Sequence, residues 1–311
     1  MTQVDLATDL GELTLANPVM VAAGCGGSGR ELVPYGDLGD LGALVTRSVT
    51  LDPQAGGVPP RAVETVGGLL NDAGPQGPGL QTFLATDLPW LAQQRVRTVV
   101  SVAGASLGEW TELARRVGLS PGLSGIEVNL AWPAGRLGRD SYQAGKVLAA
   151  VRRDVPRGVP VLAKIPAELP HAVDVARSVV KEGADAVVVA AAVPGLVLDE
   201  STLRPALGSG GGTLSGPALH AVVLRALWEL HTALPGVPLV GSGGVRNGFD
   251  ALAMLAAGAR AVQVGTALLH DPTLPGRIVT GLTDELARRG FPSVAAAVGS
   301  AHRPTDPTGE L

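Results

Sequence analysis

Two short glycine-bearing segments, GSGG (241–244) and VGTA (264–267), have the residue types that hold a phosphate group. Glycine lets backbone amides approach an anion closely, and a helix starting just beyond supplies positive potential. Either segment alone reads as a tight turn. Two of them ending consecutive apolar runs point to a phosphorylated ligand, whose identity the glycines leave open. A third feature is Lys164, set inside the apolar run PVLAKIP (160–166). An unpaired ammonium there would be costly, so an anionic partner is expected.

The elements that must position these residues are short apolar runs separated by helical stretches. The runs are 17–24, 43–49, 98–104, 125–130, 160–166, 186–192, 238–244 and 261–268, each spaced from the next by enough chain for a crossover helix. HAVDVARSVVKEGA (171–184) and FDALAMLAAGA (249–259) carry apolar residues three and four apart and end beside glycine. Eight near-continuous apolar strands alternating with helices predict a (β/α)8 TIM barrel, an α/β fold, spanning 1–311 as a single domain. The stretch from about 50 to 94 is too long for one loop and should hold its own hairpin and helix.

In such a barrel the chemistry sits at the C-terminal strand ends. That places Gly24, Arg47, Ser48, Ser101, Asn129 to Pro133, Lys164 to Glu168, Ala191, Ala192, Gly243, Gly244, Gly265 and Thr266 around one site.

Composition narrows the function classes. A net charge of −4, with arginines scattered among carboxylates, argues against a nucleic-acid or anionic-lipid surface. No run is long and apolar enough for a membrane span, and the N-terminus shows no export signal, so a cytoplasmic protein is expected. The single cysteine, Cys25, cannot form an intramolecular disulfide or ligate an iron–sulfur cluster, and no metal is expected. Cys25 reads as a buried small hydrophobe. His171 and His220 read as helix-surface residues, and His270 as a turn residue.

Four segments together carry a family resemblance: VAAGCGGSGRE, PPRAVETVGGLLNDAGPQGPGL, LSGPAL and VGSGGVRNGFDALAMLAAGARAVQVGTALL. They resemble dihydroorotate dehydrogenase, nearest to the soluble class 1 enzymes that work with a separate iron–sulfur flavoprotein. The similarity runs from about Leu6 to Phe291. It implies an FMN-dependent oxidoreductase that moves hydride between flavin N5 and a C–C bond while a base takes a proton. It also implies a homodimer, with an electron-transfer partner or soluble acceptor. For FMN, the resemblance implies Ala23, Gly24, Arg47 (lysine in the family), Ser48, Ser101 (asparagine in the family) and Asn129. Ser215 and Gly216 fall in the flavin-binding loop, and Gly243, Gly244, Gly265 and Thr266 in the phosphate grip. Lys164 would stabilise a reduced, anionic flavin.

The substrate half departs from the pattern. The family's N-x-x-C-P-N reads NLAWPA (129–134), so the base position holds Trp132, which donates only, and a substrate asparagine is Ala134. Strand 6 ends in Ala191-Ala192 instead of Asn-Thr or Asn-Ser; Asn71 and Gln76 persist, but the next asparagine is Gly77 and the preceding leucine is Pro75. Each lost amide costs roughly 1–3 kcal/mol of recognition, and a lost base about 10²–10⁴ in rate. Trp132 has three readings: stacking on a planar ligand, filling the vacated pocket, or moving with a lid over 132–142. Replacement bases are Glu168, which equally suits a helix start, and Asp140 or Tyr142 on the lid segment.

The expected function is an FMN-dependent oxidoreductase acting on a small molecule other than dihydroorotate, in a specialised biosynthetic pathway. The alternatives are a genuine dihydroorotate dehydrogenase with an unorthodox base, a redox-neutral flavoenzyme, and a non-catalytic flavoprotein.

Overall fold

The computed structural model describes residues 4–131, 140–167, 171–190 and 193–304. Eight parallel strands close into a barrel: β1 (Val19–Val21), β2 (Ala43–Val45), β3 (Thr98–Val102), β4 (Gly125–Asn129), β5 (Val161–Pro166), β6 (Ala186–Ala190), β7 (Leu239–Ser242) and β8 (Ala261–Val264). They follow one another in sequence order, with β8 returning to pair with β1. This is a single-domain (β/α)8 TIM barrel.

Outside it pack α1 (Leu107–Gly118), α2 (Ser141–Asp154), α3 (His171–Lys181), α4 (His220–Ala233), α5 (Gly248–Ala256) and α6 (Leu274–Arg288). Each buries an apolar stripe at helical spacing, as α1 does with Trp110, Leu113, Ala114 and Val117. Side chains of Ser106, Asp140 and Asn247 accept backbone N–H groups at the starts of α1, α2 and α5. Asp140 is thus a helix cap, with Oδ1 accepting from Tyr142 and Gln143. Tyr142 is exposed, with Lys146 over its ring. Neither is among the described residues lining the two cavities set out below, and the capping bonds engage the Asp140 carboxylate at the helix start.

The connection from β1 to β2 differs from a regular crossover helix. It holds only the 3₁₀ turns Val33–Tyr35 and Leu38–Asp40. Its sequence, rich in glycine and interrupted by Pro34, is a poor helix former.

Inward-facing residues alternate along each strand and change character from bottom to top. The lower layers are apolar: Met20, Val45, Val99, Leu162, Val188, Val240 and Ala261 are buried together. An antiparallel hairpin, Thr8–Leu10 with Leu13–Leu15, adds Leu10, Leu13 and Leu15 to that cluster and closes the barrel floor. One inward step further, the apolar layer gives way to polar groups, among them Ser101, Glu127, Lys164 and Gln263, all buried.

Over the top lies a four-stranded antiparallel sheet. Ala62–Thr65 and Gly68–Asn71 come from the long segment after β2, and Val193–Gly195 and Gly212–Ser215 follow β6. The same long segment continues through helical turns between Gly79 and Ala92.

Helices α5 and α6 meet at a glycine. A Cβ on Gly248 would lie 2.1 Å from the Gly281 carbonyl carbon and 2.3 Å from the Leu282 nitrogen. Gly248→Ala is therefore expected to push two backbones apart and destabilise the protein by about 1–3 kcal/mol. An unchanged urea midpoint would show that the two helices separate without cost.

Candidate active site

The C-terminal strand ends and the cap sheet enclose a cavity of about 510 Å³, within the ~300–1,000 Å³ usual for small-molecule and cofactor sites. Its wall is built from parts far apart in the chain. Ala23 and Gly24 follow β1, and Arg47 and Ser48 follow β2. Asn129 ends β4 and Lys164 projects from β5. The cap sheet contributes Asn71, Thr213 and Ser215, with Gly216 just beyond it. Gly243, Gly244, Gly265 and Thr266 complete the wall after β7 and β8.

At this glycine-lined end the backbone is specialised. Gly244 has φ +71°, and a Cβ there would lie 2.7 Å from the His220 Cβ. His220 is not simply a helix-surface residue: it packs under this loop, its Nδ1 3.4 Å from the Gly243 carbonyl. Arg246, unremarked in the sequence, also lines the cavity and pairs with Asp250 at 3.0 Å. Its position directly after GSGG-V was the available signal.

Toward the barrel axis the wall becomes a hydrogen-bonded array. The Asn129 amide donates to Ser48 Oγ at 2.9 Å, and Ser48 Oγ lies 2.9 Å from Ser101 Oγ. Ser101 itself is fully buried and is not among the residues lining the cavity, to which it is linked through Ser48. The Asn129 side-chain oxygen is buried and has no partner among the described residues. Such an orphaned acceptor calls for a donor from a ligand.

Lys164 is 8% exposed. Its ammonium donates to Glu127 Oε1 at 3.4 Å and to Gln263 Oε1 at 3.1 Å. Cys25 lines the cavity too, partly exposed by surface area and not fully buried as its sequence context suggested. Its thiol pKa is raised by burial, against the opposing pull of Lys164 and Arg47.

Asn71 reaches this cavity, its amide donating to the Thr213 carbonyl at 3.3 Å. Gln76 does not. It lines a second cavity of about 520 Å³ beside the first, separated by Arg47 and Ser48. The Gln76 side-chain oxygen accepts from Arg61 at 2.9 Å, and Arg61 itself lines the first cavity. Trp132, Ala134, Glu168, Ala191 and Ala192 lie outside the described residues. Among the described residues there is no cluster of histidine, cysteine and carboxylate groups suited to a metal.

These features fit FMN. An orphaned acceptor and a cation face the same space as two glycine-bearing loops, and Gly24 (φ +89°) keeps part of the wall open where a Cβ would find nothing within 4 Å. A dihydroorotate dehydrogenase profile matches residues 5–286. The chain belongs to the dihydroorotate dehydrogenase family. As a family member it is an FMN-dependent oxidoreductase of the class acting on CH–CH bonds.

Three relatives are named as the catalytic subunit of dihydroorotate dehydrogenase B (NAD(+)). The protein from Desulforudis audaxviator is 39% identical over 304 residues, covering 97% of this chain and 99% of its own. That from Geotalea daltonii is 37% identical over 305 residues, covering 96% and 99%. That from Pelobacter propionicus is 38% identical over 301 residues, covering 95% and 98%. The similarity of this dihydroorotate dehydrogenase family member to them thus spans nearly the whole chain, including Asn129 and Lys164 in the cavity wall.

Proposed function

We propose that this chain transfers hydride between FMN and a C–C or C=C bond of a small substrate other than dihydroorotate. The observation that supports this most is a contrast within one site. The cavity presents Lys164, the Asn129 side-chain oxygen, which has no partner among the described residues, and both glycine loops. The sequence puts Trp132 where the family has its base, and Ala134, Ala191 and Ala192 where it has substrate-binding polar groups. Cofactor binding is retained and orotate recognition is lost.

In this reading Gly243, Gly244, Gly265 and Thr266 hold the phosphate, where backbone amides and the N-terminus of α5 favour an anion. Arg246 adds a cation at the rim. Asn129, fixed by Ser48, accepts an N–H of the ring system. Ala23 and Gly24 leave room for a flat ring, and Ser215 and Gly216 close over it. FMN, when bound, supplies a hydride acceptor or donor at N5. Lys164 meets negative charge as it develops on the ring, a preorganised electrostatic role. Asn71 is the described residue placed to orient substrate. Trp132 bears on the substrate pocket, and Glu168 is the candidate base. A homodimer, a separate electron-transfer partner, a cytoplasmic location and a role in specialised biosynthesis belong to the same proposal. Among the described residues no helix is long and apolar enough to cross a membrane.

A second reading, dihydroorotate oxidation with another base, is favoured by the 35–39% identity to dihydroorotate dehydrogenase B subunits. Anaerobic mixing of the purified flavoprotein with dihydroorotate separates the two. We expect flavin bleaching about 10²–10⁴-fold slower than an enzyme with an intact base. Bleaching at that enzyme's ordinary rate would refute the altered-substrate reading and establish the second. Protein that neither carries FMN nor takes it up would refute both.

A further inference from the structure

Three buried polar side chains form a closed ring inside the barrel, just below the cavity. Lys164 on β5 and Glu127 on the adjacent β4 share one wall. Gln263 on β8 reaches them from across the lumen. Glu127 Oε2 accepts from the Gln263 amide at 2.7 Å, and Gln263 Oε1 accepts from Lys164 at 3.1 Å. The ring closes with Lys164 Nζ on Glu127 Oε1 at 3.4 Å. Glu127 and Gln263 are 0% exposed.

The geometry has two consequences. An ammonium has three N–H donors, and two are spent inside the ring, leaving one for whatever occupies the cavity. The Gln263 amide is also fully specified, because its oxygen takes the lysine and its nitrogen takes the carboxylate. Lys164 therefore faces the cavity as half of an ion pair rather than as a free cation. In a water-poor interior a carboxylate this close offsets much of its field.

We propose that Glu127 and Gln263 are positioning residues that set how strongly Lys164 favours negative charge on the cofactor. The ring thereby tunes the FMN potential. This rests on FMN occupying the cavity. Neither residue touches the cavity itself; both act through Lys164.

Sulfite adds to flavin N5 and leaves negative charge on the ring, so its dissociation constant reads this property without any substrate. Glu127→Gln keeps the shape and removes the charge. It is expected to tighten sulfite binding about tenfold and raise the two-electron potential by about 30 mV. Gln263→Glu places a second carboxylate beside Lys164 and is expected to weaken sulfite binding by a similar factor. The double variant Glu127→Gln/Gln263→Glu moves the carboxylate to the opposite strand and should return close to the parent value. A purely structural role would loosen binding in both single variants and compound in the double. That pattern, unchanged sulfite affinity in all three, or failure of all three to fold would overturn the proposal. Parent protein lacking FMN would instead refute the cofactor reading on which it rests.

Discussion

Lys164→Met is expected to lower folding stability by about 3–5 kcal/mol and to weaken sulfite binding to the flavin by about 10²-fold. The two effects have different origins. The first comes from Glu127, which keeps its Gln263 bond but loses its only described cationic partner while 0% exposed. Removing one member of a buried pair strands the other charge in a medium that solvates it poorly. The second comes from loss of a buried positive charge, held in place by Glu127 and Gln263, at the barrel-axis end of the cavity. A double-mutant cycle separates them. Glu127→Gln/Lys164→Met should recover most of the stability, because no stranded carboxylate remains, and none of the sulfite affinity. Urea denaturation and sulfite titration of the same four proteins decide the matter. A Lys164→Met variant with parental stability would mean that water reaches Glu127, and the ion pair would not be buried in any useful sense.

Gly244→Ala should cost about 10²-fold in FMN affinity while leaving the flavin that does bind electronically normal. Its φ of +71° disfavours any L side chain, and the added Cβ would meet His220 Cβ at 2.7 Å and His220 N at 2.9 Å. Left-handed strain of roughly 1–2 kcal/mol together with the steric shift approaches 2.7 kcal/mol, and if the empty loop relaxes it and binding restores it, that is about a hundredfold in affinity. Because a ligand present at about 100 Kd stabilises its protein by about 2.7 kcal/mol, the Tm gain on adding FMN should shrink accordingly. FMN titration of the apoprotein measures the affinity directly. Sulfite affinity at saturating FMN should stay near the parent value, since the substitution leaves the Glu127–Lys164–Gln263 ring beneath the cavity intact. An affinity unchanged by Gly244→Ala would place the phosphate elsewhere.

These two variants bracket what could be read from sequence. The glycine loops and Lys164 were legible because each ends or sits in a strongly apolar run, where a barrel puts its chemistry. The barrel itself was legible for the same reason: eight runs at crossover spacing admit few other arrangements. Glu127 and Gln263 were visible as polar residues inside GIEVNL and AVQVGTAL, but not as partners. They are 136 residues apart and meet across a lumen that only closure of the barrel creates. No local period encodes that contact. Gln76 lines the neighbouring cavity and bonds through its side-chain oxygen to Arg61, which lines the first, a pairing that no local period encodes. Asp140 carried a readable signal, a carboxylate ahead of a helical stretch, yet its position on a suspected lid outweighed it. The missing helix between β1 and β2 follows from glycine and proline content that the spacing alone did not take into account.

The sheet over the cavity joins Asn71 to Thr213, 142 residues apart. Its first hairpin is synthesised before β3, yet it cannot gain its remaining strands until the chain has passed β6. The roof of the site is thus assembled from both halves of the polypeptide, and loop-closure entropy makes such long-range pairing a late event in folding. A half-barrel fragment ending before Gly212 would possess a floor, Lys164 and Asn129, but no ceiling to retain a ring and no glycine loops to grip its phosphate. With FMN placed as proposed, cofactor capture is confined to chains that have already folded, so FMN would act as a lock on the finished protein and offer little help to one still being made.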